Sequence, residues 1–312
     1  MKLSEAISMY LDHKRALGYR FFNEEYILRS FLKRVGNLPV ASIEPVAVLS
    51  YLNQSGSVTA TWIKKHHVIS GLFHFMLVHG LAKLSPVPHS IPNKTAPDFV
   101  PYIYSHAELK SLLDAIPATT SVRVPIDIDV LQTLIFLLYG AGLRLGEALT
   151  LTTDEVDLKQ RCLSIRDTKF FKNRLVPVGT DLSLILTEHI GKLRASHTAL
   201  ETIPLFCFRD GSPLSQSAAR NAFRRMRLHA GIKREGGSRW QPRLHDLRHT
   251  FAVHRLVAWY RSDANLQELL PKLAIYMGHV DLSSTQHYLT MTPELLAQAS
   301  LRFERYAKGE QS

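Results

Sequence analysis

The stretch Ala141-Gly-Leu-Arg-Leu-Gly-Glu-Ala-Leu149 joins a glycine turn to the start of a helix. The apolar run before it, residues 129–139, predicts a long buried helix, and residues 143–149 predict the next one. Arg144 therefore falls at or near a helix N-terminus, where backbone N–H groups and the helix dipole favour an anion. Its planar guanidinium can bind two oxygens of one phosphate. Taken alone, an arginine at a helix start is more often an ordinary surface residue, so its interpretation depends on the segments that accompany it.

Two further segments carry cationic side chains that suit the same anion. Thr168-Lys-Phe-Phe-Lys-Asn-Arg-Leu-Val-Pro177 predicts a basic turn between two short strands, over residues 161–167 and 175–178. A lysine on such a turn can reach a phosphate or protonate a leaving oxygen. Leu244-His-Asp-Leu-Arg-His-Thr250 places His245 and Arg248 three residues apart, so both share one helix face and can contact one anion.

The segment Met277-Gly-His-Val-Asp-Leu-Ser-Ser-Thr-Gln-His-Tyr-Leu289 supplies a candidate nucleophile. His279 follows a glycine, and Tyr288 comes nine positions later. Tyrosine is a weak nucleophile at neutral pH because its pKa is ~10, but neighbouring positive charge stabilises the phenolate. Taken alone, Tyr288 is more often a core aromatic whose hydroxyl is hydrogen-bonded. Among several cationic donors, however, a tyrosine hydroxyl can attack a phosphodiester.

The pair His245 and His249 also fits a zinc-binding helix, and this alternative is the weaker one. The metallopeptidase motif has a glutamate directly after its first histidine, whereas Asp246 stands there in this chain. The intervening Arg248 would repel a metal from the same face. The sequence also has no cluster of acidic ligands that points to magnesium. We therefore expect no metal and no cofactor.

In this order, the four segments resemble the tyrosine recombinase (phage integrase) family. That family has an arginine in a G-L-R-x-x-E-x-x-x-L helix, a lysine on a β-hairpin, an H-x-L-R-H helix, and L-G-H followed by a tyrosine nine residues on. The corresponding segments here are GLRLGEALTL, TKFFKNRLVP, HDLRHT and MGHVDLSSTQHY. The resemblance covers essentially the whole second part of the chain and extends more weakly to the first.

The resemblance implies a role for each matching position. Tyr288 is implied as the nucleophile, with Arg144 and Arg248 holding the phosphate. His245 and His279 are implied to donate hydrogen bonds or to shuttle protons.

The implied general acid is one of two lysines. Lys169 is favoured over Lys172 because it lies eight residues before Pro177, which is the spacing in the family. Phe170 and Phe171 replace the glycines of the family's hairpin, so this turn is bulkier.

The expected fold class is mainly α. We expect a helical N-terminal core-binding domain (a SAM-like bundle) over residues 1–85, a linker over 86–101, and a catalytic domain over 102–312. The catalytic domain is expected to be mixed α/β and mostly helical, with a small antiparallel sheet. The linker is predicted because proline removes backbone donors and disfavours helix on its N-terminal side. Five prolines fall there, namely Pro86, Pro88, Pro92, Pro97 and Pro101.

Apolar periodicity predicts four helices in the first domain. In the first, Ile7, Tyr10, Leu11 and Lys14 follow helical spacing, and in the second Tyr26, Ile27, Phe31 and Leu32 form a stripe. The third carries Val48, Leu49 and Leu52 after Pro45 in its first turn. The fourth covers residues 59–79 and ends at Gly80. The fourth helix carries a cationic group, Lys64, Lys65, His66 and His67, which is either a solvated face or a ridge that contacts phosphates. In the second domain, Ser105 and Glu108 form a capping-box pattern. Further helices are predicted over residues 182–194, 216–230, 245–260, 266–277 and 293–307.

Composition favours a nucleic-acid partner. The net charge is +11, and Lys plus Arg outnumber Asp plus Glu by 11 to 6 over residues 1–98 and by 27 to 21 over residues 99–312. An excess in both parts suggests an extended anionic partner that both contact.

Cys162 and Cys207 are the only cysteines, which is typical of a reducing cytosol without disulfides. No apolar run reaches the ~18–20 residues of a membrane span, and the N-terminus lacks the apolar stretch of a secretion signal. We expect a cytoplasmic, nucleoid-associated protein with no membrane partner.

Double-stranded DNA is the implied partner, held mostly through its phosphates. The candidate DNA contacts are basic residues on the fourth helix, the hairpin and the helix over 216–230, namely Lys64, Lys65, Lys172, Arg174, Arg220, Arg224, Arg225 and Arg227. A face that merely balances charge is the alternative for both helices. Recombination exchanges four strands, so we expect a homo-oligomer, four protomers on two duplexes. The amphipathic tail Glu294–Tyr306 would dock on a neighbour or pack on its own domain.

The resemblance implies a site-specific DNA recombinase that cleaves and rejoins strands through a covalent 3′-phosphotyrosyl intermediate, in integration, excision or transposition of mobile DNA. One alternative is a type IB topoisomerase, which has similar chemistry but relaxes supercoils. Another is a catalytically idle DNA-binding regulator on the same fold. The short chain and the separate helical first domain favour the recombinase, and the presence of every expected catalytic residue type disfavours the regulator.

Overall fold

The computed structural model of the chain divides into two compact units, Met1–Asp98 and Phe99–Ser312. The structure describes residues 1–19, 21–55, 58–92, 100–119, 125–166, 173–199, 201–279, 285, 287–290, 297 and 300. Within these residues the chain is mostly helical with one small antiparallel sheet, which confirms the expected fold class. None of the helices in this described part is both long enough and apolar enough to cross a membrane.

The first unit contains the four predicted helices, α1 Leu3–Ala16, α2 Phe22–Val35, α3 Pro45–Leu52 and α4 Ala60–Val78. Pro45 occupies the first turn of α3, where its missing N–H is not needed. The Thr59 hydroxyl accepts the Trp62 backbone N–H at 3.2 Å and thereby starts α4. Gly80 follows its end at φ +68°, a conformation that glycine adopts without strain. Apolar side chains from all four helices form one core.

The apolar stripe expected on α2 is wrong at one position. Tyr26 is 76% exposed, because the face that packs on the core begins one residue later. That face consists of Ile27, Leu28 and Phe31.

The cationic group on α4 is also smaller than expected. His66 is buried, stacks on the Trp62 ring with centroids 5.4 Å apart, and places Nε2 2.8 Å from the Pro88 carbonyl oxygen. It therefore belongs to the core and not to an exposed ridge. Val87 is buried in the same core, so the start of the proline-rich stretch packs on the first unit.

The second unit contains, within its described residues, helices α5 His106–Asp114, α6 Ile116–Thr119, α7 Ile128–Gly140, α8 Leu145–Thr150, α9 Thr180–Ser196, α10 Gln216–His229, α11 Asp246–Arg261 and α12 Leu266–Met277. The predicted capping box starts α5: the Ser105 hydroxyl accepts the Glu108 N–H at 3.2 Å, and the Glu108 carboxylate accepts the Ser105 N–H at 2.8 Å. The apolar helix α7 packs against α9 and α11. This packing brings the glycine turn that follows α7 close to α11.

The sheet has the strand order β1 Val156–Asp157, β2 Cys162–Ile165 and β3 Arg174–Pro177, all antiparallel. Strands β2 and β3 are the two predicted strands, and β1 is an addition to the prediction. Ile165 pairs with Arg174, so Arg174 lies beside the basic turn. That turn, with Lys169 and Lys172, lies outside the described residues, as does nearly all of the helix predicted over 293–307. Both cysteines are free thiols.

Candidate active site

Arg144 is the residue directly before α8 and has an extended backbone, with φ −71° and ψ 143°. Its Nη1 donates to Glu147 Oε1 at 2.8 Å, and its Nη2 donates to the Gly278 carbonyl oxygen at 2.8 Å. The side chain nevertheless stays 38% exposed. Arg144 is therefore fixed from two sides while part of its guanidinium remains open to an anion.

Arg248 lies in the first turn of α11 and is only 2% exposed. Its Nη1 donates to the Gly142 carbonyl oxygen at 2.6 Å, and its Nη2 donates to the Met277 carbonyl oxygen at 2.7 Å. Burial, followed by the charge of Arg144, lowers the pKa of Arg248 to about 10, so the guanidinium is still charged at neutral pH. A buried cation whose hydrogen-bond partners are neutral carbonyls attracts an anion strongly.

Tyr288 lies in a short 3₁₀ turn and is 3% exposed. The centroid of its ring is 5.5 Å from that of His249 and 6.0 Å from that of His279. Burial raises the pKa of Tyr288, while the charges of Arg248 and Arg144 and a hydrogen bond from Arg248 lower it. The positive surroundings expected from the sequence are present, but burial raises the pKa by more than the arginines lower it. The phenol is therefore protonated at neutral pH.

Three histidines surround the tyrosine and the arginines. His279 Nδ1 lies 2.6 Å from the hydroxyl oxygen of the buried Thr285. The rings of His245 and His249 are 5.0 Å apart. Burial, followed by the charge of Arg248, lowers the pKa of His245 to about 4. Burial, followed by His245 and then Arg248, lowers the pKa of His249 to about 3, so both rings are neutral at pH 7.

The predicted DNA contact by Arg174 is corrected by its position. This side chain is 11% exposed, and its Nη1 and Nη2 donate to Glu147 Oε1 and Oε2 at 3.1 and 2.8 Å. Its Nε donates to the Tyr276 carbonyl oxygen at 3.1 Å. All three nitrogens thus donate to acceptors inside the protein, which disfavours a contact with a DNA phosphate.

Glu147 received no role from the sequence, although it is the glutamate of the G-L-R-x-x-E pattern. Burial raises the pKa of Glu147, but hydrogen bonds and charge from Arg174 and Arg144 outweigh burial and hold that pKa at about 2. Glu147 is therefore a carboxylate at every pH relevant to a cell. His249 was likewise missed as a neighbour of Tyr288, and its only signal was its place directly after Arg248.

The arginines of α10 are not equivalent. Arg220 and Arg224 are exposed, whereas Arg227 is 7% exposed and its Nη1 donates to Gln241 Oε1 at 2.8 Å. These three arginines line a cavity of about 780 Å³ that also contains His245. Arg225 does not line it and is half-buried. The cavity extends the cationic site from His245 along α10.

Two further predicted contacts, Lys64 and Lys65, belong to the first unit. In the first unit, Lys64 Nζ lies 3.1 Å from Glu24 Oε1, and Lys65 Nζ lies 4.5 Å from the centroid of the Tyr51 ring. Their contact with DNA stays a prediction, as do the roles of the hairpin lysines. Within the described part of the chain, no three His, Cys, Asp or Glu side chains are grouped to hold a metal ion.

The chain is similar to known proteins along most of its length. The profile of the phage integrase family matches residues 104–294. The chain is 34% identical over 301 residues to the putative integrase/recombinase y4rE of Sinorhizobium fredii, covering 96% of this chain and 95% of that protein. It is 29% identical over 232 residues to the tyrosine recombinase XerD of Corynebacterium glutamicum, covering 74% and 70% of the two chains. Among solved structures, the Tn1549 transposon integrase in complex with transposon right end DNA has the same fold, with a TM-score of 0.70 at 17% identity over 98% of this chain and 100% of that one.

The fold and the tyrosine–arginine cluster define a DNA recombinase. The chain belongs to the phage integrase family, the tyrosine recombinases.

Proposed function

We propose that this protein is a site-specific recombinase that cleaves and rejoins duplex DNA through a covalent 3′-phosphotyrosyl bond to Tyr288. The observation that carries the proposal is the convergence of Tyr288, Arg144 and Arg248. These residues come from three distant segments: Arg144 and Arg248 donate to the Gly278 and Met277 carbonyl oxygens, and the ring of the adjacent His279 stacks on that of Tyr288. The 3′ polarity follows from the family.

In the proposed reaction the Tyr288 oxygen forms a bond to a backbone phosphorus, and the bond from that phosphorus to the 5′ oxygen breaks. The phenolic proton passes to the histidine relay, His245 or His279, and the 5′ oxygen takes up a proton from the general acid. A 5′-hydroxyl of a second strand then attacks the phosphotyrosine and regenerates the tyrosine. One phosphodiester is exchanged for a phosphoester of similar energy, so no external energy source is required.

Each side chain has a distinct task in this scheme. Arg144 and Arg248 hold the non-bridging oxygens, where negative charge develops in the transition state. His245 and His279 donate hydrogen bonds or relay protons. Lys169 protonates the 5′ oxygen, with Lys172 as the alternative.

Arg144 and Arg248, which hold the phosphate, form the phosphate clamp. Double-stranded DNA binds along the cationic surface that begins at this clamp and follows α10. Exposed Arg220 and Arg224, on the wall of the cavity next to His245, support this path. Lys64 and Lys65 contact phosphates from the first domain, residues 1–85, which residues 86–101 link to the catalytic domain, residues 102–312. We extend the proposal to four protomers on two duplexes, to a role in moving mobile DNA, and to action at the nucleoid in the cytoplasm.

A covalent trap tests the nucleophile. Duplexes selected by the protein from a random pool are rebuilt with nicks at successive positions, so that cleavage releases a short fragment and leaves the covalent complex stranded. We expect an adduct that survives SDS with the native protein and with Tyr139→Phe, a matched loss of a hydroxyl that instead pairs with His254 Nδ1 at 2.9 Å. No adduct is expected with Tyr288→Phe. An adduct formed by Tyr288→Phe would rule out this nucleophile.

A further inference from the structure

The carboxylate of Glu147 is enclosed by two arginines. Its Oε1 accepts from Arg144 Nη1 at 2.8 Å and from Arg174 Nη1 at 3.1 Å. Its Oε2 accepts from the Arg144 backbone N–H at 3.0 Å and from Arg174 Nη2 at 2.8 Å. Glu147 is 9% exposed and Arg174 is 11% exposed. A single buried negative charge is thus shared between Arg144 of the phosphate clamp and Arg174, whose three guanidinium nitrogens all donate to acceptors inside the protein.

Arg174 also contacts the turn that leads to His279. Its Nε donates to the Tyr276 carbonyl oxygen at 3.1 Å. A Cβ added at Gly278 would lie 2.8 Å from Arg174 Nη1, so only glycine lets the two come this close. The same glycine supplies the carbonyl oxygen that accepts from Arg144. Arg174 therefore joins strand β3, the start of α8 and the end of α12.

We propose that Arg174 is a positioning residue for the phosphate clamp, acting by neutralising Glu147 so that the charge of Arg144 remains available to the scissile phosphate. This role rests on the proposed function. Without Arg174, the buried carboxylate would have Arg144 as its counter-ion and would hold that guanidinium more tightly. The uncompensated carboxylate would also repel the incoming phosphate, because an unpaired buried charge acts through a weakly screening medium.

A double-mutant cycle between Glu147 and Arg174 tests this role. The measured quantities are the single-turnover rate of adduct formation on the nicked selected duplex and the dissociation constant for the same duplex without a nick. Arg174→Gln is expected to lower the rate on the order of 100-fold, the size of effect seen when one transition-state contact is lost. The dissociation constant should change little, because many other phosphates contribute to binding. Arg174→Lys, which keeps the charge, should recover part of the rate.

The decisive comparison is made where the carboxylate is absent. In the Glu147→Gln background, Arg174→Gln should change the rate only slightly, since no negative charge is left to neutralise. The double variant pairs two neutral amides, so this comparison holds even where Arg174→Gln alone fails to fold with its unpaired buried carboxylate. An equally large loss of rate in both backgrounds would overturn the proposal, because a direct contact with DNA or a purely structural role does not depend on the carboxylate.

An exposed ion pair in the same unit provides the control. Arg209 Nε lies 2.7 Å from Asp127 Oδ1, with both side chains about half exposed. Arg209→Gln, alone or with Asp127→Asn, should leave the rate unchanged. If the native protein and every variant form no adduct, the proposed function fails. If the native protein forms the adduct and Arg174→Gln forms it equally fast, this role alone fails.

Discussion

Gly142 gives the sharpest link between a backbone conformation and the phosphate clamp. Its φ is +60°, and a Cβ built on it would lie 2.4 Å from Phe251 Cδ1 and 2.8 Å from Phe251 Cε1. The Phe251 ring is 7% exposed, so it has little room to move. The Gly142 carbonyl oxygen accepts from Arg248 Nη1 at 2.6 Å. Gly142→Ala should therefore disturb both the fold and the clamp.

The expected loss of stability has two parts. An alanine in the left-handed region costs about 1–2 kcal/mol, and forcing a methyl group into a packed core costs about 1–3 kcal/mol. Gly142→Ala should therefore lower the free energy of unfolding by about 2–5 kcal/mol. Gly231 has φ +68° and no atom within 4 Å of an added Cβ. Gly231→Ala thus carries only the first part and separates backbone strain from the clash.

Tryptophan fluorescence during urea unfolding measures these differences. The chain has three tryptophans, and in a Trp62→Phe background the signal comes only from Trp240 and Trp259 of the second unit. A second substitution, Phe251→Leu, replaces the clashing ring by a smaller side chain. In that background Gly142→Ala should cost no more than Gly231→Ala, and the rate of adduct formation should recover together with stability. If Gly142→Ala and Gly231→Ala are equally destabilising from the start, the contact with Phe251 does not explain the need for glycine.

Three shorter predictions follow from the same site. In Arg248→Lys the lysine cannot reach both carbonyl oxygens that the arginine binds. We expect the free energy of unfolding to fall by about 1–3 kcal/mol because one acceptor is left unsatisfied, and the rate of adduct formation to fall on the order of 100-fold. An unchanged rate in a quenched-flow gel assay would contradict the role of Arg248 in the phosphate clamp. Since the pKa of His249 falls from 6.5 to about 3 on folding, its neutral form contributes stability that is complete above pH 6.5 and is lost as the pH drops towards 3. The decrease in the free energy of unfolding from pH 7 to pH 5 should be smaller for His249→Leu than for the native protein. Equal decreases would assign the pH dependence to other groups. On a substrate whose leaving 5′ oxygen is replaced by sulfur, Lys169→Ala should regain its rate and Lys172→Ala should gain nothing; the reverse pattern would exchange their roles.

Much of the site could be predicted because its residues lie in short local patterns. The G-L-R, H-D-L-R-H and M-G-H segments each contain a turn or a helix start whose geometry depends on neighbouring residues. The capping box before α5 and Pro45 in α3 are local signals of the same kind. Where chemistry and backbone geometry are both fixed within a few residues, the expected element and the observed one agree to within about two residues, the usual precision of helix ends.

What the sequence did not reveal depends on contacts between distant segments. Glu147 and Arg174 are 27 positions apart, and nothing local indicates that the arginine points inward. Arg174 was grouped with surface cations because it falls in the segment that predicts a basic turn. Likewise, the rise in the pKa of Tyr288 could not be predicted, because the degree of burial follows from packing and opposes the effect of the arginines. A sequence shows which side chains are charged, but it does not show which partner each charged side chain binds or how deeply it is buried.

The hydrogen bonds of the two clamp arginines explain why the motifs are informative only as a set. The glycine of the first motif, Gly142, presents its carbonyl oxygen to Arg248 of the third motif. The glycine of the last motif, Gly278, presents its carbonyl oxygen to Arg144 of the first, and Met277 beside it does the same for Arg248. The first and last motifs thus supply main-chain acceptors for the clamp arginines of the first and third motifs. Main-chain acceptors are neutral and belong to turns with a fixed conformation, so they hold the guanidiniums in place without cancelling their charge. The glycines beside the functional residues are therefore the sequence signal of these hydrogen bonds between motifs.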